Sequence, residues 1–143
     1  MTIKAIQLYC LIFAVAFFAV ETSCAQLTGI FTSLVPAQGA ALSTPVECIS
    51  VGDVINATPG VHTVKHSLKL SGFNTETGIW EELYSEIGSV TLQPNGSMLG
   101  WTMDFSGSNL SPGSYLVNCA LYEQQGKNFN FMDGLAHYFT VVP

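Results

Sequence analysis

Beyond its first 25 residues the chain alternates short apolar runs with turn residues at intervals of roughly 8 to 12 positions, a rhythm that predicts an all-β sandwich or barrel. The turn signals are Pro36 to Gly39, Thr58-Pro59-Gly60, Asn74 to Gly78, Pro94-Asn95-Gly96, Ser106 to Ser108 and Ser111-Pro112-Gly113. Strands are expected at Ile30 to Leu34, Val46 to Val51, Val61 to Phe73, Ile79 to Tyr84, Ser89 to Gln93, Met98 to Phe105, Ser114 to Glu123 and Ala136 to Val142. Leu99, Trp101, Met103 and Phe105 share one face of their strand, and Gly100, Thr102 and Asp104 the other. Tyr115, Val117, Cys119 and Leu121 line up in the same way, which aims Cys119 into a core. The run Glu81-Glu82-Leu83-Tyr84-Ser85-Glu86, which overlaps the expected strand Ile79 to Tyr84, has a helical turn as its alternative reading.

Residues Met1 to Ala25 follow a different rule. Lys4 precedes an apolar run from Ala5 to Val20, and Ser23 and Ala25 stand three and one positions before an expected cut after Ala25. This is the layout of a secretory signal peptide, and the run, interrupted by Gln7, is shorter than the ~20 residues that span a bilayer. The expected organisation is a leader over 1–25 and one domain over 26–143, with the mature protein secreted to the cell exterior, cell surface or periplasm and carrying no membrane span.

Charge narrows the partners. Residues 26–143 hold Lys65, Lys69 and Lys127 against nine carboxylates, with no arginine, a net charge near −6. Nucleic acid is a poor partner for such a chain, because its binding needs clustered cations that displace counterions. With Cys10 and Cys24 in the leader, Cys48 and Cys119 remain. An even count in an oxidising compartment predicts one disulfide between them.

The segment Leu110-Ser111-Pro112-Gly113-Ser114-Tyr115-Leu116-Val117 resembles the entry into the penultimate strand of immunoglobulin-like and fibronectin III-like sandwiches, and Tyr138-Phe139-Thr140-Val141-Val142 is similar to their last strand. The resemblance implies an immunoglobulin-like β-sandwich of about seven to eight strands, with Tyr115 packed at a corner and its hydroxyl bonded to nearby backbone. Val35-Pro36-Ala37-Gln38-Gly39 and the same closing strands also resemble the periplasmic copper-resistance family. That family's copper ligands include a histidine at the mature N-terminus and one in an Asp-Gly-His motif. Here Gln26 and Gln125-Gly126-Lys127 stand in those places, so the scaffold carries over without the copper site.

Candidate chemistry is sparse. His62 and His66 are spaced as metal ligands would be on a helix, but on a strand they lie ~13 Å apart, too far to share one ion unaided. Glu76, Glu81, Glu82 and Glu86 form the densest acidic stretch without the alternating oxygens of a calcium loop. There is no Gly-x-Ser-x-Gly elbow and no thiol beside a histidine, so no enzyme and no cofactor are expected. Asn56, Asn95 and Asn109 begin N-glycosylation sequons, relevant in a eukaryotic secretory pathway. Trp80, Tyr84 and Trp101 are candidates for glycan contact, with core packing favoured for Trp101.

These readings converge on a non-catalytic structural, adhesive or protein-interaction module that works by contact with itself, a partner protein or a glycan. Leu27 to Leu34 is expected either to complete its own sheet or to insert into a neighbour's. The alternative is a small-ligand or metal carrier on the copper-resistance-like scaffold.

Overall fold

The computed structural model describes residues 26–107 and 109–143; the expected leader lies outside the described residues. Eight strands follow in order: β1 Leu27–Val35, β2 Ala41–Leu42, β3 Val46–Asn56, β4 His62–Asn74, β5 Ile79–Leu92, β6 Ser97–Gly107, β7 Gly113–Gln125 and β8 Asn128–Val141. They form a three-stranded sheet, β1-β3-β6, packed on a five-stranded sheet, β2-β8-β7-β4-β5. Neighbours run antiparallel except β2, which pairs in parallel with β8. This is an all-β, immunoglobulin-like sandwich. The N-terminal strand β1 pairs with β3 of its own chain and so completes its own sheet.

The period-two pattern explains the packing. On β3, Val46, Cys48, Ser50 and Val54 point inward; on β4, Val64, His66, Leu68 and Leu70 do; on β7, Tyr115, Val117, Cys119 and Leu121 do. Together with Phe31, Leu34, Trp101, Met103, Phe139 and Val141 they make one core between the sheets. Each fully buried aliphatic side chain contributes about 1.5–3 kcal/mol relative to exposure. At the sheet margin the Phe31 amide donates to Asp133 Oδ2 at 2.7 Å, tying β1 to β8 where both strands bulge.

Two elements differ from the sequence reading. The acidic run Glu81 to Glu86 is not a helical turn but the middle of β5, which pairs with β4 from Ile79 to Leu92 as a single strand with one bulge. It is an edge strand, wet on both faces, so it needs no apolar alternation, and its charges discourage pairing with a foreign strand. Strand β8 starts at Asn128, earlier than Ala136, because Gln125 and Asn128 pair across a two-residue turn. Gly126 opens that turn at φ +62°, a conformation that favours glycine and matches a type II′ hairpin.

Candidate interaction face

The interior contains the cysteines, and here the expected disulfide is corrected. Cys48 and Cys119 are separate, buried thiols. Cys48 sits on β3 of one sheet and Cys119 on β7 of the other. Each thiol is enclosed among the apolar side chains of the core, where it packs as a small hydrophobic group. Burial pushes both thiols up to about 11, so they stay protonated and unreactive at neutral pH.

The two histidines share a strand but no partner. His66 is fully buried, its Nε2 is 2.8 Å from Ser50 Oγ, and its ring lies edge-on to Phe31 and Trp101 at centroid distances of 5.1 and 5.0 Å. Its Nδ1 has no hydrogen-bond partner, and burial pulls its pKa down to about 4, so the ring is neutral at neutral pH. Gly88, across from His66 on β5, leaves the space that the Trp101 ring fills; a Cβ there would stand 3.1 Å from Trp101 Cζ2.

His62 belongs to a different network at the mouth of the β3–β4 loop. Its Nδ1 is 2.6 Å from Glu123 Oε1 and its Nε2 is 2.8 Å from Thr58 Oγ1. Asn56, fully buried, donates to the carbonyls of Gly60 at 2.8 Å and Gln93 at 2.9 Å, while its Oδ1 accepts from the Thr58 amide and hydroxyl. The arrangement closes the loop and consumes the polar atoms that a ligand would need. The Asn56 amide, first residue of a sequon, is thus enclosed and fully hydrogen-bonded in the fold. Asn95 and Asn109 remain exposed in the turns on either side of β6.

Tyr115 begins β7 buried, stacks on Phe139 at 5.5 Å and donates its hydroxyl to the Ser111 carbonyl at 2.7 Å. Trp101 is in the core, while Tyr84 stacks at 4.1 Å on Phe105 across the sheet edge and donates to Glu86.

The outer face of the five-stranded sheet is the unusual surface. A solvated face of an antiparallel sheet is ordinarily polar. Here register brings Phe129 and Phe131 of β8, Tyr122 of β7 and Lys65 of β4 together at one end, with Tyr122 and Phe131 5.9 Å apart and Lys65 Nζ 5.4 Å from the Phe129 centroid. At the other end Phe73, Trp80 and Tyr138 make a chain of rings at 5.2 and 5.6 Å. Between the banks lies a depression of about 390 Å³, with Ser67, Ala120, Gly134 and Ala136 among its lining residues. Phe131 and Ile87 on this face are 66% and 60% exposed. Register also places the carboxylates Glu81, Glu86, Glu123 and Asp133 opposite inward-facing partners, so among the outward positions of β4, β5, β7 and β8 the charges are Lys65, Lys69 and Glu82. Lys69 and Glu82 pair at 3.2 Å.

Sequence reasoning singled out Trp80 but passed over Phe129, Phe131 and Tyr138. The alternation Asn128-Phe129-Asn130-Phe131 was the available signal. Among the described residues no group of three or more His, Cys, Asp or Glu is placed to hold a metal ion, and no helix is long and apolar enough to cross a membrane.

No family model matches the chain, and no curated protein matches it in sequence. Solved structures resemble it in fold. Alkylpurine DNA glycosylase AlkC of Pseudomonas fluorescens matches over 80% of this chain and 30% of its own, at 9% identity and a TM-score of 0.50. The CARDB domain of a Pyrococcus furiosus protein matches over 82% of this chain and 88% of its own, at 14% identity and a TM-score of 0.44. The C-terminal domain of wzt covers 76% and 64% at 12% identity, with a TM-score of 0.45. The chain thus spans less than a third of AlkC, and likeness at these identities concerns the fold alone.

Proposed function

We propose that the chain is an exported, non-catalytic module that acts by surface contact, as a structural or adhesive subunit outside the cytoplasm. One observation carries this reading: the outer face of the five-stranded sheet, where water is expected, holds two banks of exposed aromatic side chains. Contiguous exposed apolar surface on a small domain marks a binding surface. Aromatic side chains are enriched in the buried centres of interfaces, where they supply large contact area. The scarcity of carboxylates on this face adds to the argument, since charged groups are expensive to desolvate. The fibronectin III-like approach to β7, with Tyr115 at its corner, and the leader-like first 25 residues support a place among exported sandwich modules.

The test is to express the full chain, purify the product and follow it by sedimentation velocity and on a glycan array. The wild type is expected to associate with rising concentration or to be retained by arrayed glycans. Phe131→Ser with Tyr138→Ser is expected to abolish either behaviour while leaving the far-ultraviolet circular dichroism unchanged. A wild type that stays monomeric and is retained by no glycan overturns the reading.

A further inference from the structure

The second outer surface, that of β1-β3-β6, is apolar as well. Ile30 and Ile55 are 55% and 46% exposed, and Leu99 at the β6 bulge is 64% exposed. Its charges, however, have the opposite sign. Register sets Glu47, Asp53 and Asp104 on outward positions, and β1, β3 and β6 contain no lysine, arginine or histidine. One outer face therefore carries three carboxylates and no cation. The other carries two of the three lysines in residues 26–143 and one carboxylate.

We propose that copies of this domain stack front to back, the five-stranded face of one against the three-stranded face of the next, forming an open chain. The inference rests on the contact reading above and names the partner as a second copy. Like faces cannot pair as well. Pairing two five-stranded faces brings together surfaces with the same excess of positive charge, and pairing two three-stranded faces brings carboxylates together with no cation between them, so either is disfavoured relative to the mixed pairing. Front-to-back stacking instead sets lysines near carboxylates and places the Phe129–Phe131 bank on Ile30, Ile55 and Leu99. Three strands ~4.8 Å apart and about ten residues long at ~3.3 Å each give a footprint of roughly 450 Å² per copy. Counted on both copies this is about 900 Å², below the range of stable interfaces and within that of weak, transient contacts, so the assembly is reversible and concentration-dependent. Because the contact joins two different surfaces, each added copy leaves both kinds of face free, and growth continues unless the rotation closes a ring.

The experiment uses two variants of the full chain, each blocked on one face. Phe129→Ser with Phe131→Glu blocks the five-stranded face; Ile55→Lys with Leu99→Lys blocks the three-stranded face. Circular dichroism confirms folding, and single substitutions Phe131→Glu and Leu99→Lys serve if a double variant does not fold. In sedimentation velocity the wild type is expected to show a ladder of species that lengthens with concentration. Each variant alone is expected to be monomeric, and an equimolar mixture to stop at the dimer, because both outer faces of that dimer are blocked. A wild type that forms only a closed dimer, or a mixture that remains monomeric, overturns front-to-back stacking. A monomeric wild type still retained by glycans, with retention lost on Phe131→Glu, also overturns the stacking but leaves the contact reading standing. A monomeric wild type retained by nothing removes both.

Discussion

The two sides of the five-stranded sheet are made by the same strands and have opposite roles. On β4, Val64, His66, Leu68 and Leu70 face the core and are buried almost completely, while Lys65 and Lys69, one position away, look outward. On β7, Val117, Cys119 and Leu121 are inside, while Leu116, Asn118 and Tyr122 are partly open to water. The difference teaches that period-two alternation separates two jobs along one segment. Inward positions hold the sandwich together; outward positions add little to folding and are free to carry contact chemistry. Substitutions on the two sides should therefore move different measurements.

The sharpest contrast is all-or-none. Cys48 and Cys119 should resist alkylation in the native protein and each take up one alkyl group in denaturant without reductant, read by intact mass. A denatured, unreduced protein that takes up none would establish a bridge and reverse the interior described above. Next in size, Leu121→Ala should cost about 2–5 kcal/mol in urea unfolding, through lost burial and the cavity left behind. A loss below half a kilocalorie would mean that β7 does not face the core.

His66 gives the interior a pH dependence. Its native pKa, near 4, lies below the ordinary value of 6.5, because burial disfavours the charged ring. Above pH 6.5 the ring is neutral in both states and its full contribution is present. As pH falls from 6.5 toward 4, the unfolded chain binds the proton first and stability drops, by ~3 kcal/mol in all. Below about 4 both states are protonated and this loss stops growing. Thermal melts across that window should show the slope in the wild type and a flatter one in His66→Gln; equal slopes would remove the assignment.

Smaller still, Glu123→Gln should cost about 1 kcal/mol by weakening the contact with His62 that helps close the β3–β4 loop. At the far end of the scale, Phe131→Ser should shift stability by no more than about 0.5 kcal/mol, because its ring is mostly solvated. It should nevertheless abolish association or glycan retention. A large stability loss there would merge the two sides that the sheet keeps apart.

Much of the fold is legible along the chain, for reasons that vary by element. The central strands β4 and β7 alternate cleanly because one of their faces is buried, and their expected bounds lie within a few residues of those observed. Strand β5 was expected as two pieces, Ile79 to Tyr84 and Ser89 to Gln93, with a helical turn as the alternative at Glu81 to Glu86, since an edge strand wet on both faces leaves no hydrophobic period to join them. Strand β8 was shortened because Asn128 to Leu135 turns its two phenylalanines, Phe129 and Phe131, outward, the reverse of what burial ordinarily imposes. The pairing of His62 with Glu123, 61 residues apart, has no local signature at all.

By itself the sequence determined the β class, the turn positions, the acidic and arginine-free character of residues 26–143, and, away from the bulges, which residues of a strand share a side. These are local or additive properties, set by neighbours in the chain. The β6 bulge at Gly100 breaks the alternation and turns Leu99 outward, away from the side of Trp101 and Met103. Only the tertiary structure decided the rest: that Cys48 and Cys119 stay apart on opposing sheets, that His66 is enclosed while His62 is tied to a glutamate, that Asn56 is sealed beneath its loop, and that aromatics from β4, β5, β7 and β8 meet on one outer face. Each depends on strand order and register, which bring residues tens of positions apart within contact distance and leave no periodicity behind.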